Sequence, residues 1–232
     1  MKPHSARAIL ILESPWELDE RDANRSSVLP FIEGVSKLAG DIEVYHADFY
    51  DKSSFKKALE CLCRTKFKNT IVYIAAHGSK NKVGNVKLDD ALFLIGEKSR
   101  ECNITGVMLG TCFVGENTAT MEVYIEGTNI KWCAGYSSAS TWLEGTLIDC
   151  AILKNMLDLD AEDFADRDRL IDSFAQAIAA FSNTFQIGED YHNNPVKLED
   201  GMAFVVQPTG QGHRARTVTQ EVFETKEDYQ LP

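Results

Sequence analysis

At 232 residues the chain can bury one well-formed core but is short for two. Hydrophobic residues make up 44% and charged residues 25%, the balance of an ordinary globular protein rather than a disordered one. The net charge of −11 repels nucleic-acid phosphates and anionic membrane surfaces, so neither is expected as a partner.

The first patterned segment is the apolar run AILIL at 8–12, too short for a membrane span or a signal-peptide core, which points to the cytoplasm. After Ser26-Ser27, the positions Val28, Leu29, Phe31, Ile32, Val35 and Leu38 repeat at helical spacing up to Gly40. IEVYHA at 42–47 is a weaker strand. Ser53 or Ser54 caps a second helix with Phe55, Ala58, Leu59 and Leu62 on one face. IVYIAA at 71–76 and ITGVMLG at 104–110 read as strands buried on both faces, and IKWCAGY at 130–136 does so more loosely. Between them, 83–95 reads as a small antiparallel hairpin turning at Asp89-Asp90, and a helix is expected within 114–126. Further helices are expected at 143–157 and 161–185, and an edge strand at 202–208. The alternation predicts an α/β fold, a three-layer sandwich with a mainly parallel central sheet, over 1–208, followed by a polar, mobile tail at 209–232.

Six cysteines without a CxxC pair read mainly as reduced, buried thiols. Cys61 and Cys63 point to different helix faces, which argues against zinc, and no metal or cofactor is expected. Neither a GxGxxG nor a P-loop lysine pattern is present, which weakens a rival reading as a nucleotide- or phosphate-binding module.

Two strand ends carry chemistry. IVYIAA stops at His77-Gly78, and ITGVMLG stops at Thr111-Cys112 before a helical pattern. In parallel sheets ligands gather outside the carboxyl ends of the strands. If these strands are neighbours, an imidazole and a thiol share one rim. A free thiol is only a few per cent ionised at neutral pH, and a nearby histidine can take its proton and later protonate a leaving amine. Gly78 lets its backbone approach a carbonyl closely, so its amide and that of Cys112 are the natural oxyanion donors.

These residues carry a resemblance. AAHGS and LGTCFVG, in that order, resemble the His-Gly and Cys-x-x-Gly signatures of the caspase-like cysteine peptidases, a group that includes caspases, metacaspases and the separase-related CHAT peptidases. AGYSSASTWLEGTLIDCAIL resembles the strand, substrate-binding loop and helix that follow the nucleophile, and the similarity spans roughly residues 6 to 157. It departs from caspases themselves: Gly110 and Thr111 precede the cysteine where Gln-Ala stands, and His77 lies 35 residues before Cys112 rather than about 50.

The resemblance implies a cysteine endopeptidase with a His77–Cys112 dyad that needs no cofactor and acts on a protein or peptide. Related enzymes hold a basic residue before the scissile bond with acidic side chains, and Glu116, Glu144 and Asp149 are the candidates here. Ser137, Ser138 and Ser140 are candidate substrate contacts, and Trp142 a candidate pocket floor. Compact bacterial relatives serve as effectors in antiviral defence or regulated cell death, which implies a separate activator protein. The competing expectation is a catalytically inert scaffold that binds a partner. His4, His46 and His213 read as structural or solvated, and His192 as a loop residue able to line a pocket.

Overall fold

The structure is a computed structural model that describes residues 6–16 and 26–229; His4 lies outside them. Five strands are parallel neighbours: β1 (Arg7–Glu13), β2 (Ile42–Asp48), β3 (Asn69–Ala75), β7 (Ile104–Gly110) and β8 (Trp132–Tyr136). β11 (Met202–Val206) runs antiparallel to β8, and the two-residue β12 (Arg216–Thr217) antiparallel to β11, giving the seven-stranded order β12-β11-β8-β7-β3-β1-β2.

The strands are apolar on both sides, and successive residues feed two separate cores. Ile9, Ile11, Ile71, Tyr73, Trp132 and Tyr136 face one core, with Ile32 of α1 (Leu29–Ala39), Ile148 and Ile152 of α5 (Trp142–Leu157) and Phe174 of α6 (Arg167–Ile178). Leu10, Leu12, Val72, Ile74, Val107 and Leu109 face the other, with Phe55 of α2 (Lys52–Leu62), Leu92 and Ile95 of α3 (Leu88–Cys102) and Met121 of α4 (Thr118–Ile125). The protein is therefore an α/β structure with a mostly parallel sheet covered on both faces.

Several elements differ from expectation. The segment around Asp89-Asp90 is no hairpin turn: both aspartates sit in the first turn of α3, where acidic groups favour the positive end of the helix dipole. Leu88, Ala91, Leu92, Ile95, Ser99 and Cys102 are buried at helical spacing, and Asn103 ends the helix in the left-handed region at φ 52°. The antiparallel structure lies earlier, as a three-stranded ribbon of β4 (Gly78–Ser79), β5 (Lys82–Val83) and β6 (Val86–Lys87) directly after His77. The expected helix over 161–185 shrinks to α6, whose start is set by the Asp166 carboxylate accepting from the amides of Asp168 and Arg169.

Beyond α6, an unforeseen hairpin of β9 (Gln186–Glu189) and β10 (Pro195–Lys197) leads through the short α7 (Leu198–Gly201) into β11. β11 is not an edge strand, since β12 pairs outside it. The segment after Thr209, expected as a mobile tail, carries β12 and α8 (Thr219–Lys226), and Val218 and Val222 enter the first core. No helix among the described residues is long and apolar enough to cross a membrane.

Candidate active site

The register of β3 against β7 decides where the two chemical residues stand. Ala75 pairs with Gly110 as the last residues of the parallel ladder, and His77 and Cys112 each lie two residues further on. Both line one cavity of ≈ 210 Å³, together with Trp16, Val28, Tyr73, Thr111, Tyr136, Ser140, Trp142 and Asp149 among others. It opens at the carboxyl rim, beside the point where β1 and β3 part company: their onward connections leave to opposite sides of the sheet.

Gly78 is packed against the backbone of Cys112. A Cβ there would fall 2.2 Å from Thr111 Cγ2, 2.5 Å from the Cys112 carbonyl oxygen and 3.0 Å from its nitrogen, so only glycine fits. This places Gly78 beside the Cys112 amide, which donates to no backbone carbonyl among the described residues. Phe113, the next residue, takes the left-handed conformation at φ 63°, a strained state for a side-chain-bearing residue that costs on the order of 1–2 kcal/mol. Its amide donates to the Ser138 carbonyl at 3.0 Å, and its ring stacks on Tyr191 at 4.0 Å, which holds the turn in place.

The loop after β8 forms the opposite wall. Ala139 and Thr141 donate their amides to the Glu189 and Ile187 carbonyls of β9, so the alternate residue, Ser140, turns its backbone toward the sulfur. The Ser140 amide lies 3.4 Å from Cys112 Sγ, and the Ser140 carbonyl lies 3.9 Å from it. Burial pushes the Cys112 thiol above its ordinary range, Asp149 adds to this, and the Ser140 amide opposes it.

His77 is oriented by Trp16 of the cavity wall. Its Nε2 lies 2.6 Å from the Trp16 carbonyl, and the indole meets the imidazole edge-on at 5.3 Å between centroids. A backbone carbonyl only accepts, so this contact puts the proton on Nε2 and leaves Nδ1 as the basic nitrogen.

At the base of the cavity stands Asp149, 2% exposed. Tyr73 donates to its Oδ2 at 2.6 Å, and the Tyr136 hydroxyl lies 2.6 Å from Oδ1 and 2.9 Å from the Gly145 carbonyl. Burial raises this carboxyl to about 7, against the pull of the two hydroxyls. Gly110 makes the arrangement fit, because a Cβ there would fall 2.6 Å from the Tyr73 ring and 2.7 Å from Asp149 Oδ2. Two buried polar atoms of cavity residues have no hydrogen-bond partner among the described residues: Thr111 Oγ1 and Trp142 Nε1.

The remaining candidates stand elsewhere. Glu116 is outside the cavity lining and pairs with Lys80 at 3.3 Å. Glu144 is half-buried, lies outside the cavity lining and accepts from Thr141 Oγ1 at the start of α5. Ser137 donates to the Asp200 carbonyl, and Ser138 is buried with its hydroxyl on Ala139. The His192 amide closes the Asp190–Asn194 turn, away from the cavity. Trp142 lines the cavity and packs edge-on against Phe31. Sequence reasoning missed Trp16, Tyr73 and Tyr136; the two tyrosines read simply as strand residues, and nothing local marks their hydroxyls.

One further cluster lies at the neighbouring strand ends. Glu13, His46 and Asp48 bring their ligand atoms within 4.8 Å of one another, the only such group of three among the described residues. The Glu13 carboxylate already receives four donors, so the group reads as an ion-pair network rather than an open metal site. Burial pushes Glu13 up, but His46, Ser27, Val28 and Trp16 together hold it below its usual value, and Glu13 in turn raises His46.

No protein-family model matches this chain, and no curated protein does.

Proposed function

We propose that the protein is a cysteine endopeptidase of the caspase-like kind that cleaves after a basic residue. The observation that carries this reading is the opening of His77 and Cys112 onto one cavity with an acidic group at its base. In the proposed reaction, His77 Nδ1 takes the Cys112 proton and the sulfur bonds to the substrate carbonyl carbon. The displaced electron pair settles on oxygen beside the Gly78 and Cys112 amides. When the oxyanion collapses, the C–N bond breaks and His77 gives its proton to the leaving amine. Water then attacks the thioester, passes a proton to His77 and frees the thiol.

Two features favour a peptide. The segment 139–141 pairs with β9 along one side and leaves the Ser140 backbone facing the sulfur, an edge on which an extended chain can add as a strand. Asp149, ionised by an entering cation, pairs with a Lys or Arg side chain. As an effector in bacterial defence or regulated cell death, the enzyme acts under a separate activator.

A second reading, an inert scaffold for a partner protein, is favoured by one observation: the sulfur's contacts run to Ser140 rather than to His77, and its thiol is held protonated by burial. A peptidyl acyloxymethyl ketone ending in Arg separates the two. Covalent addition at Cys112, absent in Cys112→Ala and weak for a warhead ending in Asp, is expected by mass spectrometry. No adduct with any peptide warhead would overturn the peptidase reading in favour of the scaffold.

A further inference from the structure

We propose that Glu13 is a positioning residue for His77, acting through Trp16 to hold the imidazole in its Nε2–H form at the mouth of the cavity. The inference rests on the peptidase reading for its consequence in catalysis, but the positioning itself is a property of the fold.

Glu13 is the last residue of β1 and is only 3% exposed, in register with Ala75 of β3 on one side and Asp48 of β2 on the other. Each oxygen of its carboxylate is doubly engaged. Oε1 accepts from Trp16 Nε1 at 2.9 Å and from the Val28 amide at 3.0 Å. Oε2 accepts from Ser27 Oγ at 2.7 Å and faces His46 Nε2 at 2.9 Å, with Asp48 a further 3.8 Å from that ring. One buried carboxylate thus ties the chain leaving β1 to the chain entering α1. Both tied residues, Trp16 and Val28, wall the cavity.

Trp16 passes the constraint on. Its indole is pinned by Glu13, while its carbonyl takes His77 Nε2 and its ring closes on the imidazole edge-on. The His77 ring makes no other hydrogen bond among the described residues; the residue's backbone carbonyl accepts from the Gly84 amide at 2.7 Å. Its tautomer and ring orientation therefore depend on where Glu13 holds Trp16. A purely structural Glu13, serving only the pair with His46 at the sheet edge, would leave the His77 ring unaffected when the indole bond alone is removed.

The test uses the full chain labelled with 15N, with His77→Gln to assign the His77 ring signals. Trp16→Phe removes the indole donor and keeps an aromatic ring beside His77, Glu13→Ala removes the whole anchor, and Glu13→Gln keeps an amide oxygen for Trp16 and Val28. The expected result is that Trp16→Phe and Glu13→Ala shift His77 from Nε2–H toward a mixture of tautomers. They also lower kcat on an Arg-ended peptide by about 10²-fold with KM little changed, the scale of a displaced catalytic group. Glu13→Gln recovers most of both. If Glu13→Ala fails to fold, Trp16→Phe and Glu13→Gln decide the matter. A folded Trp16→Phe with an unchanged His77 tautomer overturns the proposal, whatever its activity. A wild-type chain that cleaves no peptide, yet whose His77 tautomer follows Glu13 and Trp16, upholds the positioning and overturns the peptidase reading instead.

Discussion

Asp149 sits where an ionised carboxylate is most costly, and the consequence is measurable without a substrate. Its usual value is 3.8, and burial raises it to about 7 in the folded chain. Between those values the folded state keeps a proton that the unfolded state has lost, so this group's contribution to stability is greatest below about pH 4 and declines as pH rises toward 7. The decline is on the order of 1.4 kcal/mol per pH unit at its steepest. Asp149→Asn is expected to remove that slope relative to wild type in urea titrations at a series of pH values. On the proposed peptidase reading, the same substitution is expected to raise KM for Arg-ended peptides, and the wild-type KM is expected to fall as pH rises through about 7. A variant that keeps the wild-type slope, or binds Arg-ended peptides as well as wild type, rules out the charge at this site. The residue was nameable from the sequence as one of three acidic candidates. Only its seat between two tyrosine hydroxyls separates it from Glu116, which serves a surface ion pair, and Glu144, which accepts from the Thr141 hydroxyl.

At the scale of elements, the site depends on how two strands end. β3 ends at Ala75 and passes through His77 into the β4–β6 ribbon, which starts at Gly78, and β7 ends at Gly110 before a turn in which Phe113 is held in a left-handed conformation. Gly78→Ala puts a methyl 2.5 Å from a backbone oxygen, which no rotamer change relieves. It is expected to lower kcat by about 10²–10³-fold, the scale of a lost oxyanion donor. Iodoacetamide should still label Cys112 in the folded variant; an unaltered kcat would remove Gly78 from the mechanism. Both strand ends were legible, because an apolar run that breaks into His-Gly or Thr-Cys shows its boundary. The element between them was not: Asp89-Asp90 carries the chemistry of a turn and equally that of a helix's first turn. The pattern that settles it, Leu88 through Cys102, lies mostly beyond the two aspartates.

For the whole molecule, the two-sided sheet makes both cores depend on distant chain. Val218 and Val222 of the last described segment pack with Phe174 and Phe204 into the core that also holds Tyr73 and Tyr136. Ending the chain after Pro208 is expected to cost about 1.5–3 kcal/mol for each buried valine, read as a lower urea midpoint. A truncated chain with the full-length midpoint would show that α8 merely rests on the surface. The polar composition after Thr209 hid this element, because Val222 in a short helix and Val218 just before it make too brief a pattern to stand out from their charged neighbours.

The sequence by itself determined the α/β alternation, the strands of the sheet other than β12, and the residues that follow the ends of β3 and β7. Unbroken apolar runs can only be buried between two layers, and residue order alone fixes which side chain follows a strand's last apolar position. Tertiary structure decided that β3 and β7 are neighbours in a register that sets His77 and Cys112 level. It also decided that Asp149 is the acid at the cavity base, and that the carbonyl of Trp16 orients the imidazole. Those facts rest on contacts between residues as far as 76 positions apart, whose distances depend on how helices and strands pack rather than on any local preference of the chain.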